Sequence, residues 1–339
     1  MILRPKPSPR QYATLAGAPP TVPMAAVPAW LRRAISDAQS HAGKDVEDVA
    51  LAAGATIGVL DAVVRRQERW AGAWRQRLAL AAATATAKQA GRVEDERALR
   101  DALLLTRPGD NVGPAGHLLF AWRRLAGTPA EKLLTEKNIG TLLDDLGLAR
   151  NDEGVSDLVD DLRQLAARDG TAAMMTGAIA ISERHGLGRA LGAWLADALL
   201  AQRLGWTHAI SLLGGEAALA VGMGRPRRPV TAALAAGAET ESDRAKTLLA
   251  AQARAALRAI DLSAELERRA DRLLAVAPKL RAKAADVVVE KLLSDDAIVA
   301  TEKIAGMSDR GLRRLFDRLV ELGAVRELSG RTAFRIYGL

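Results

Sequence analysis

The sequence predicts an all-α fold: a multi-helical body followed by a C-terminal winged helix-turn-helix that carries a short β-hairpin. Three observations lead to this prediction. Aromatic residues make up only 3% of the chain, so Ala and Leu, the strongest helix formers, must fill the core. Apolar residues recur at three- and four-residue spacing along most of the body. Near the C-terminus this spacing gives way to the alternation that is typical of strands.

The charge balance and the residue content restrict the classes of function. The net charge of +8 attracts polyanions, with nucleic acid ahead of an anionic membrane surface. The alternative is that arginine-rich helix surfaces only keep the protein in solution, because 40 acidic residues are scattered among the 48 basic ones. The absence of cysteine excludes disulfides, thiol catalysis and cysteine-based zinc sites.

No stretch of the sequence has the character of a membrane or secretion signal. The longest apolar runs fall well short of the roughly 20 residues that a membrane span needs. The basic, proline-rich start has no apolar core of signal-peptide length. We therefore expect a cytoplasmic protein with no membrane partner.

The chain divides into three predicted segments. Residues 1–28 hold seven prolines and are expected to form an extended or disordered leader. Residues 29–277 are expected to form the helical body, with a turn-rich loop at 106–116 and a basic linker at 222–229. The helices predicted in the body cover 46–64, 68–89, 94–105, 115–126, 131–147, 155–168, 171–184, 187–204 and, as one helix or two, 241–277.

The third segment, residues 279–339, follows the order of a winged helix. Two helices are predicted over 279–293 and 296–304. A third begins after Ser308, a good N-cap, and ends at Gly323. The buried face of this third helix is predicted to hold Leu312, Leu315, Phe316, Leu319 and Leu322. Strands over 324–328 and 332–337 would then form the hairpin.

Basic residues are concentrated on the exposed side of this segment. A recognition helix presents its N-terminal half to the major groove, and basic wing residues reach phosphates or the minor groove. Double-stranded DNA is therefore the expected partner. The alternative is a structural or dimerisation wing, with a protein partner or a homo-oligomer, because Asp309, Asp317 and Glu321 dilute the positive charge. The predicted DNA-binding residues are Arg310, Arg313, Arg314, Arg318, Arg326, Arg331 and Arg335.

A second group of charged residues lies beside two tryptophans of the body. Opposite charges at helical spacing form ion pairs that orient helices. The alternative is an anion pocket walled by the tryptophans. We also expect at least one of the two indoles to be buried against the helices near 94–104 and 117–124. The candidate pocket residues are Trp70, Trp74, Arg77, Arg92 and Arg100.

The sequence offers no complete catalytic apparatus. The four histidines, at positions 41, 117, 185 and 208, are too dispersed for a metal site. No glycine-rich phosphate loop and no paired-acid pattern is present. We therefore expect no catalytic residues, no metal and no cofactor, and a protein that is not an enzyme.

Several segments resemble an uncharacterised bacterial family, domain of unknown function 1403. The resemblance covers nearly the whole chain after residue 28 and implies no activity. The segments that carry it are 70–78, 91–101, 108–110, 113–116, 194–197, 270–280 and 313–339.

The wing is also similar to the one appended to some Fic-type adenylyltransferases. The nearest match to their catalytic loop, His185–Arg189, lacks the phenylalanine, the loop acid and the asparagine. A working Fic site is therefore not expected. Taken together, the sequence predicts a DNA-binding or regulatory protein. The alternative is a helical protein-interaction scaffold, which would include a degenerate Fic-like relative without activity.

Overall fold

The all-α class is confirmed in the part of the chain that the structure describes. The computed structural model describes residues 27–37, 45–107, 109–149, 151–216, 241–280, 282, 284–331 and 333–339. These residues form thirteen α-helices, short 3₁₀ turns and one small sheet. Most of the predicted leader, the linker at 222–229, His41 and Pro108 lie outside the described residues.

The helices and strands follow one another in a simple order. The helices are α1 (Ala29–Asp37), α2 (Val46–Arg65), α3 (Ala71–Gln89), α4 (Glu96–Leu104), α5 (Gly113–Gly127), α6 (Ala130–Leu133), α7 (Glu136–Asp145), α8 (Asp152–Arg168), α9 (Thr171–Arg184), α10 (Gly188–Arg203), α11 (Glu241–Val276), α12 (Ala285–Ser294) and α13 (Asp309–Glu321). The strands are β1 (Ile298–Val299), β2 (Arg326–Glu327) and β3 (Ile336–Gly338).

Helix boundaries differ from the predicted ones where a local cap or turn intervenes. Helix α1 was not predicted. The helix predicted over 131–147 is two helices, because Thr135 caps the second one by accepting the Asn138 N–H at 3.4 Å. The stretch over 241–276 is one helix.

Three helix pairs make most of the body. Helix α11 packs along α2, α10 packs along α9, and α3 packs along α5. Small residues allow this close approach, and many of the fully buried side chains are alanines. The closest approach is at Gly214, where a Cβ atom would lie 2.0 Å from the Trp122 ring. Glycine is therefore required at this position.

Both tryptophans of the predicted pair are buried, as expected. Trp70 is 5% exposed and Trp74 is 2% exposed. The Trp74 indole donates a hydrogen bond to the carbonyl of Ala259 at 2.9 Å. Since Ala259 belongs to α11, this contact joins α3 to the longest helix of the body, which was not among its predicted neighbours.

The prediction of a helix over 296–304 is wrong. In its place Ile298 and Val299 form β1, which pairs antiparallel with β3 opposite Tyr337 and Ile336. Two β-branched residues in succession fit a strand better than a helix. The sheet order is β1-β3-β2, so the central strand is the last one in the sequence.

The hairpin forms where it was predicted, with shorter strands. Arg326 pairs with Gly338 and Glu327 with Tyr337. The helix predicted over 279–293 begins only at Ala285, because the preceding Ala284 has a left-handed backbone with φ 60°. We call residues 326–338 the wing.

Replacing Trp74 by Ala should lower the free energy of unfolding by roughly 3–5 kcal/mol, because the change empties a fully packed core position. Urea unfolding of the full chain measures this difference. Trp30→Ala is the matched control, since Trp30 is 51% exposed and its loss should change stability little. Equal effects of the two substitutions would contradict the packing described.

Candidate functional site

Helix α13 is built to present one face to solvent. Ser308 caps it by accepting the Gly311 N–H at 3.1 Å, and the opposite face is buried. The prediction that Leu322 belongs to this face is wrong: the helix ends at Glu321, and Leu322, its C-cap, is 38% exposed. At the centre of that buried face, Phe316 stacks on Tyr337 of β3 with the ring centroids 4.3 Å apart. Helix and sheet therefore form one packed unit.

Three arginines of α13 point outward without a carboxylate partner. Arg310, Arg313 and Arg314 are exposed, and no ion pair joins them to any residue in the described part of the chain. They occupy positions i, i+3 and i+4, so they are neighbours on the helix surface. We call these three residues the outer face of α13.

The other predicted DNA-binding arginines are exposed too, but three of them are paired. Arg318 pairs with Glu321 at 2.6 Å, and Arg335 lies 3.7 Å from Asp317. Arg331 pairs with Asp101 of α4. The fourth, Arg326, stands on β2 near Arg269. The sequence could not show the pairing of Arg331, because Asp101 is far away in the chain.

The wing lies against α4 instead of projecting from the body. Besides the Arg331–Asp101 pair, the guanidinium of Arg97 lies beside Gly330, where a Cβ atom would be 3.3 Å from Nη2. Apolar contacts extend the same interface. They involve Leu104, Leu105, Val299, Leu328 and Ile336. The wing is therefore held by both charge and apolar packing.

Two residues of the candidate anion pocket, Arg77 and Arg100, bind the carboxylate of Asp296. Arg77 donates to Asp296 through Nε, and Arg100 Nε donates to the other carboxylate oxygen at 2.5 Å. Asp296 itself is 0% exposed. Burial alone would raise the pKa of Asp296, but Arg77, Arg100 and Arg123 outweigh it and hold that pKa below the ordinary value.

The rest of the candidate pocket does not join these two arginines. Arg92 donates to Glu94 at 2.5 Å, and Trp74 turns its indole nitrogen towards α11. The ion-pair interpretation therefore accounts for the arginines, and the anion that Arg77 and Arg100 bind is a side chain of the protein itself.

Sequence reasoning missed Arg123, the third arginine of this buried charge cluster (Arg77, Arg100, Arg123 and Asp296). Its Nε and Nη2 atoms are buried and have no hydrogen-bond partner among the described residues. Burial lowers the pKa of Arg123, while Asp296 and Asp295 act in the opposite direction. No spacing in the sequence links α5 to residue 296, so only the fold reveals this grouping.

A second buried acid, Asp197, lies in the centre of the body. Its carboxylate accepts the backbone N–H groups of Leu212 at 2.8 Å and Leu213 at 3.1 Å. Complete burial raises the pKa of Asp197 to about 7, although these N–H groups lower it. Asp197 thereby fixes the 3₁₀ turn at Leu213–Gly215 to α10.

Side chains of the histidine loop that partly matches the Fic pattern contact nearby carboxylates. His185 lies 3.1 Å from Asp161, and Arg189 pairs with Glu183 at 2.8 Å. Within the described ranges, no group of three His, Cys, Asp or Glu residues has a geometry suited to a metal ion. In the same ranges, none of the helices has the length and apolar character that crossing a membrane requires.

The fold and its surface define a class of protein: an α-helical body that ends in a basic helix backed by a small antiparallel sheet. The chain belongs to the family described as "Protein of unknown function (DUF1403)", whose model matches residues 19–339. The resemblance found in the sequence is thus confirmed. No curated protein matches the chain.

Asp296→Asn should lower the free energy of unfolding by roughly 3–5 kcal/mol, because it leaves two buried guanidinium groups without their anion. Urea unfolding at neutral pH measures the loss. The matched control is Asp160→Asn, since Asp160 is exposed and pairs with Arg163 at 2.7 Å. The control should cost less than about 1 kcal/mol. A small effect at both positions would argue against the buried cluster.

The pKa of Asp197 predicts a dependence of stability on pH. Because the folded pKa of about 7 exceeds the ordinary value of 3.8, the folded state binds this proton more tightly than the unfolded state. The contribution is complete below the unfolded pKa and is lost as the pH rises through the folded pKa. The unfolding free energy of the wild type minus that of Asp197→Asn should therefore decrease from mildly acidic to mildly alkaline pH. A difference that increases with pH contradicts the assignment.

Proposed function

We propose that this protein binds double-stranded DNA through the outer face of α13 and acts as a DNA-binding regulator in the bacterial cytoplasm. The observation that carries the proposal is the set of three exposed arginines, Arg310, Arg313 and Arg314, that lack carboxylate partners in the described ranges. The major groove of B-DNA admits an α-helix, and arginine is the commonest side chain to contact guanine there.

The order of elements supports this use of α13. A helix, a strand, the exposed helix and a two-stranded wing follow one another, with α13 in the place of a recognition helix. The outer face lies in the first half of α13, which is the half that enters the groove in helix-turn-helix proteins. The helix predicted before it is replaced by β1, so the proposed module is a winged helix of reduced form.

The arginines on the outer face of α13 are free of carboxylate partners in the described ranges, whereas two arginines of the wing are paired. The outer face makes contact with DNA without breaking an ion pair. Arg331 and Arg335 already have Asp101 and Asp317 as partners, so a phosphate must compete with these carboxylates. Affinity should therefore depend mainly on α13.

A scaffold function is the second candidate, and it is favoured by a separate surface. A groove of about 240 Å³ opens between α1, α2 and α11. Trp30 and Leu51 line it and are 51% and 67% exposed. Exposed apolar residues grouped at one groove are a mark of protein–protein contact. This groove is lined by none of the outer-face arginines, so the two functions can be tested separately.

Fluorescence anisotropy with the full chain and a labelled duplex tests the DNA proposal. The wild type should bind, and its affinity should fall steeply between about 50 and about 200 mM salt, because phosphate contacts release counterions. Replacing Arg310, Arg313 and Arg314 together by Ala should abolish most of the binding, and a lost base contact costs roughly 1–3 kcal/mol. The slope of log affinity against log salt should become shallower by about 0.9 for each phosphate contact removed.

The matched control replaces Arg163, Arg184 and Arg189 by Ala, which removes the same charge from exposed positions of the body. This variant should bind nearly as well as the wild type. Equal losses in both triple variants would show that net charge, and not α13, governs binding. A wild type that fails to bind at low salt would refute the proposal.

A further inference from the structure

Phe334 combines two unfavourable features at one position of the wing. Its side chain is 66% exposed, more than that of any other Phe, Tyr or Trp in the described residues. Its backbone has a φ of 54°, in the left-handed region that residues with a Cβ rarely occupy. Exposure of a large aromatic side chain and a strained backbone each cost free energy.

The strained backbone is what turns Phe334 outward. Side chains two residues apart in a strand lie on the same face, so a regular β3 extended backwards would place Phe334 beside Ile336. Ile336 is 1% exposed and belongs to the interior. The left-handed φ interrupts this alternation, and the Phe334 ring is exposed.

Phe334 also lies next to the surface proposed to bind DNA. The following residue, Arg335, lies 3.7 Å from Asp317 of α13, so the loop that carries Phe334 is anchored to that helix. One turn beyond Asp317, Val320 is 40% exposed. Asp317 lies one turn beyond Arg313 and Arg314, so the residue after Phe334 contacts α13 one turn from its outer face.

We propose that Phe334 inserts between adjacent base pairs of the duplex that α13 binds, and that the protein therefore prefers DNA with an easily kinked step. This inference rests on the proposed function. Apolar side chains that enter a base step from the minor groove unstack it and bend the duplex. Pyrimidine–purine steps such as TA unstack most easily, so they are the substrate feature that such a side chain selects.

The alternatives to DNA explain the position less well. A protein partner would require a wide apolar surface, whereas the immediate neighbour of Phe334 is an arginine that contacts the acid Asp317. A core-packing role does not fit a ring that is 66% exposed. Strain that the rest of the fold does not need is a sign of a contact made with another molecule.

Bending and unstacking measured with the full chain test the inference. Two duplexes of equal length are compared, one with a single central TA step and one without a pyrimidine–purine step at its centre. Labels at both ends report bending by energy transfer, and 2-aminopurine beside the step reports unstacking. The wild type should bend the first duplex and raise its 2-aminopurine fluorescence. Phe334→Ala should abolish both signals and weaken binding to that duplex roughly tenfold.

Two controls separate insertion from damage to the fold. Phe120→Ala removes another exposed phenylalanine, which lies on α5 and is 38% exposed, and should behave as the wild type. Phe334→Gly should raise the Tm, because glycine accepts a positive φ, while it abolishes bending as Phe334→Ala does.

The possible results distinguish the two proposals. If Phe334→Ala bends and binds the TA duplex as the wild type does, while the triple α13 variant does not bind, the insertion is refuted and the DNA-binding function stands. If the wild type binds neither duplex, both proposals are refuted. Loss of bending in Phe334→Ala with binding retained on the second duplex supports both.

Discussion

The ion pairs of Asp296 join the C-terminal sheet and α13 to helices α3 and α4 of the body. A fully buried carboxylate is tolerated only when cations and hydrogen bonds compensate its lost hydration. Here Arg77 of α3 and Arg100 of α4 supply them, at a point just after α12 ends. Asp296 lies between the end of α12 and the start of β1. The sheet, α13 and the wing are positioned from this point onward.

A consequence of this anchoring is that α13 has a defined orientation. Its apolar face is held by the stacking of Phe316 on Tyr337, and Tyr337 pairs with β1 directly beyond Asp296. The C-terminal residue is fixed as well, since the carbonyl of Leu339 accepts a hydrogen bond from Arg269 at 3.0 Å. A recognition surface is effective when rigid elements and their supporting contacts hold it in place. The exposed arginines of α13 therefore stand on a helix that packs against the sheet, and contacts with the body hold that sheet.

Local patterns sufficed for most helices and failed where a distant contact decided the structure. The periodicity of apolar residues predicted every helix of the body except α1, although α6 and α7 were predicted as one helix. The Ser308 cap was read correctly, and so were four of the five residues predicted on the buried face of α13, Leu322 being exposed. In place of the helix predicted over 296–304, Ile298 and Val299 pair with β3, and Asp296 binds arginines some two hundred residues earlier; no local spacing reveals either contact. The pairing of Arg331 with Asp101 and the position of Arg123 depend on tertiary structure in the same way. In the hairpin, alternation placed Phe334 in a regular strand, whereas its actual backbone is left-handed.

Two adjacent residues of α4 hold the terminal module in place and reduce the positive charge that the wing presents. Arg100 binds the buried Asp296, and its neighbour Asp101 binds Arg331 of the wing, so one turn of helix holds both the core of the terminal module and its periphery. Each carboxylate that fixes the wing also neutralises a cation that a phosphate would otherwise attract. In the proposed complex with DNA, a wing fixed in this manner contributes little to long-range attraction. The wing still places the loop that carries Phe334 next to α13. In the proposed complex, the shape of this exposed side chain matters more than the charge of the wing.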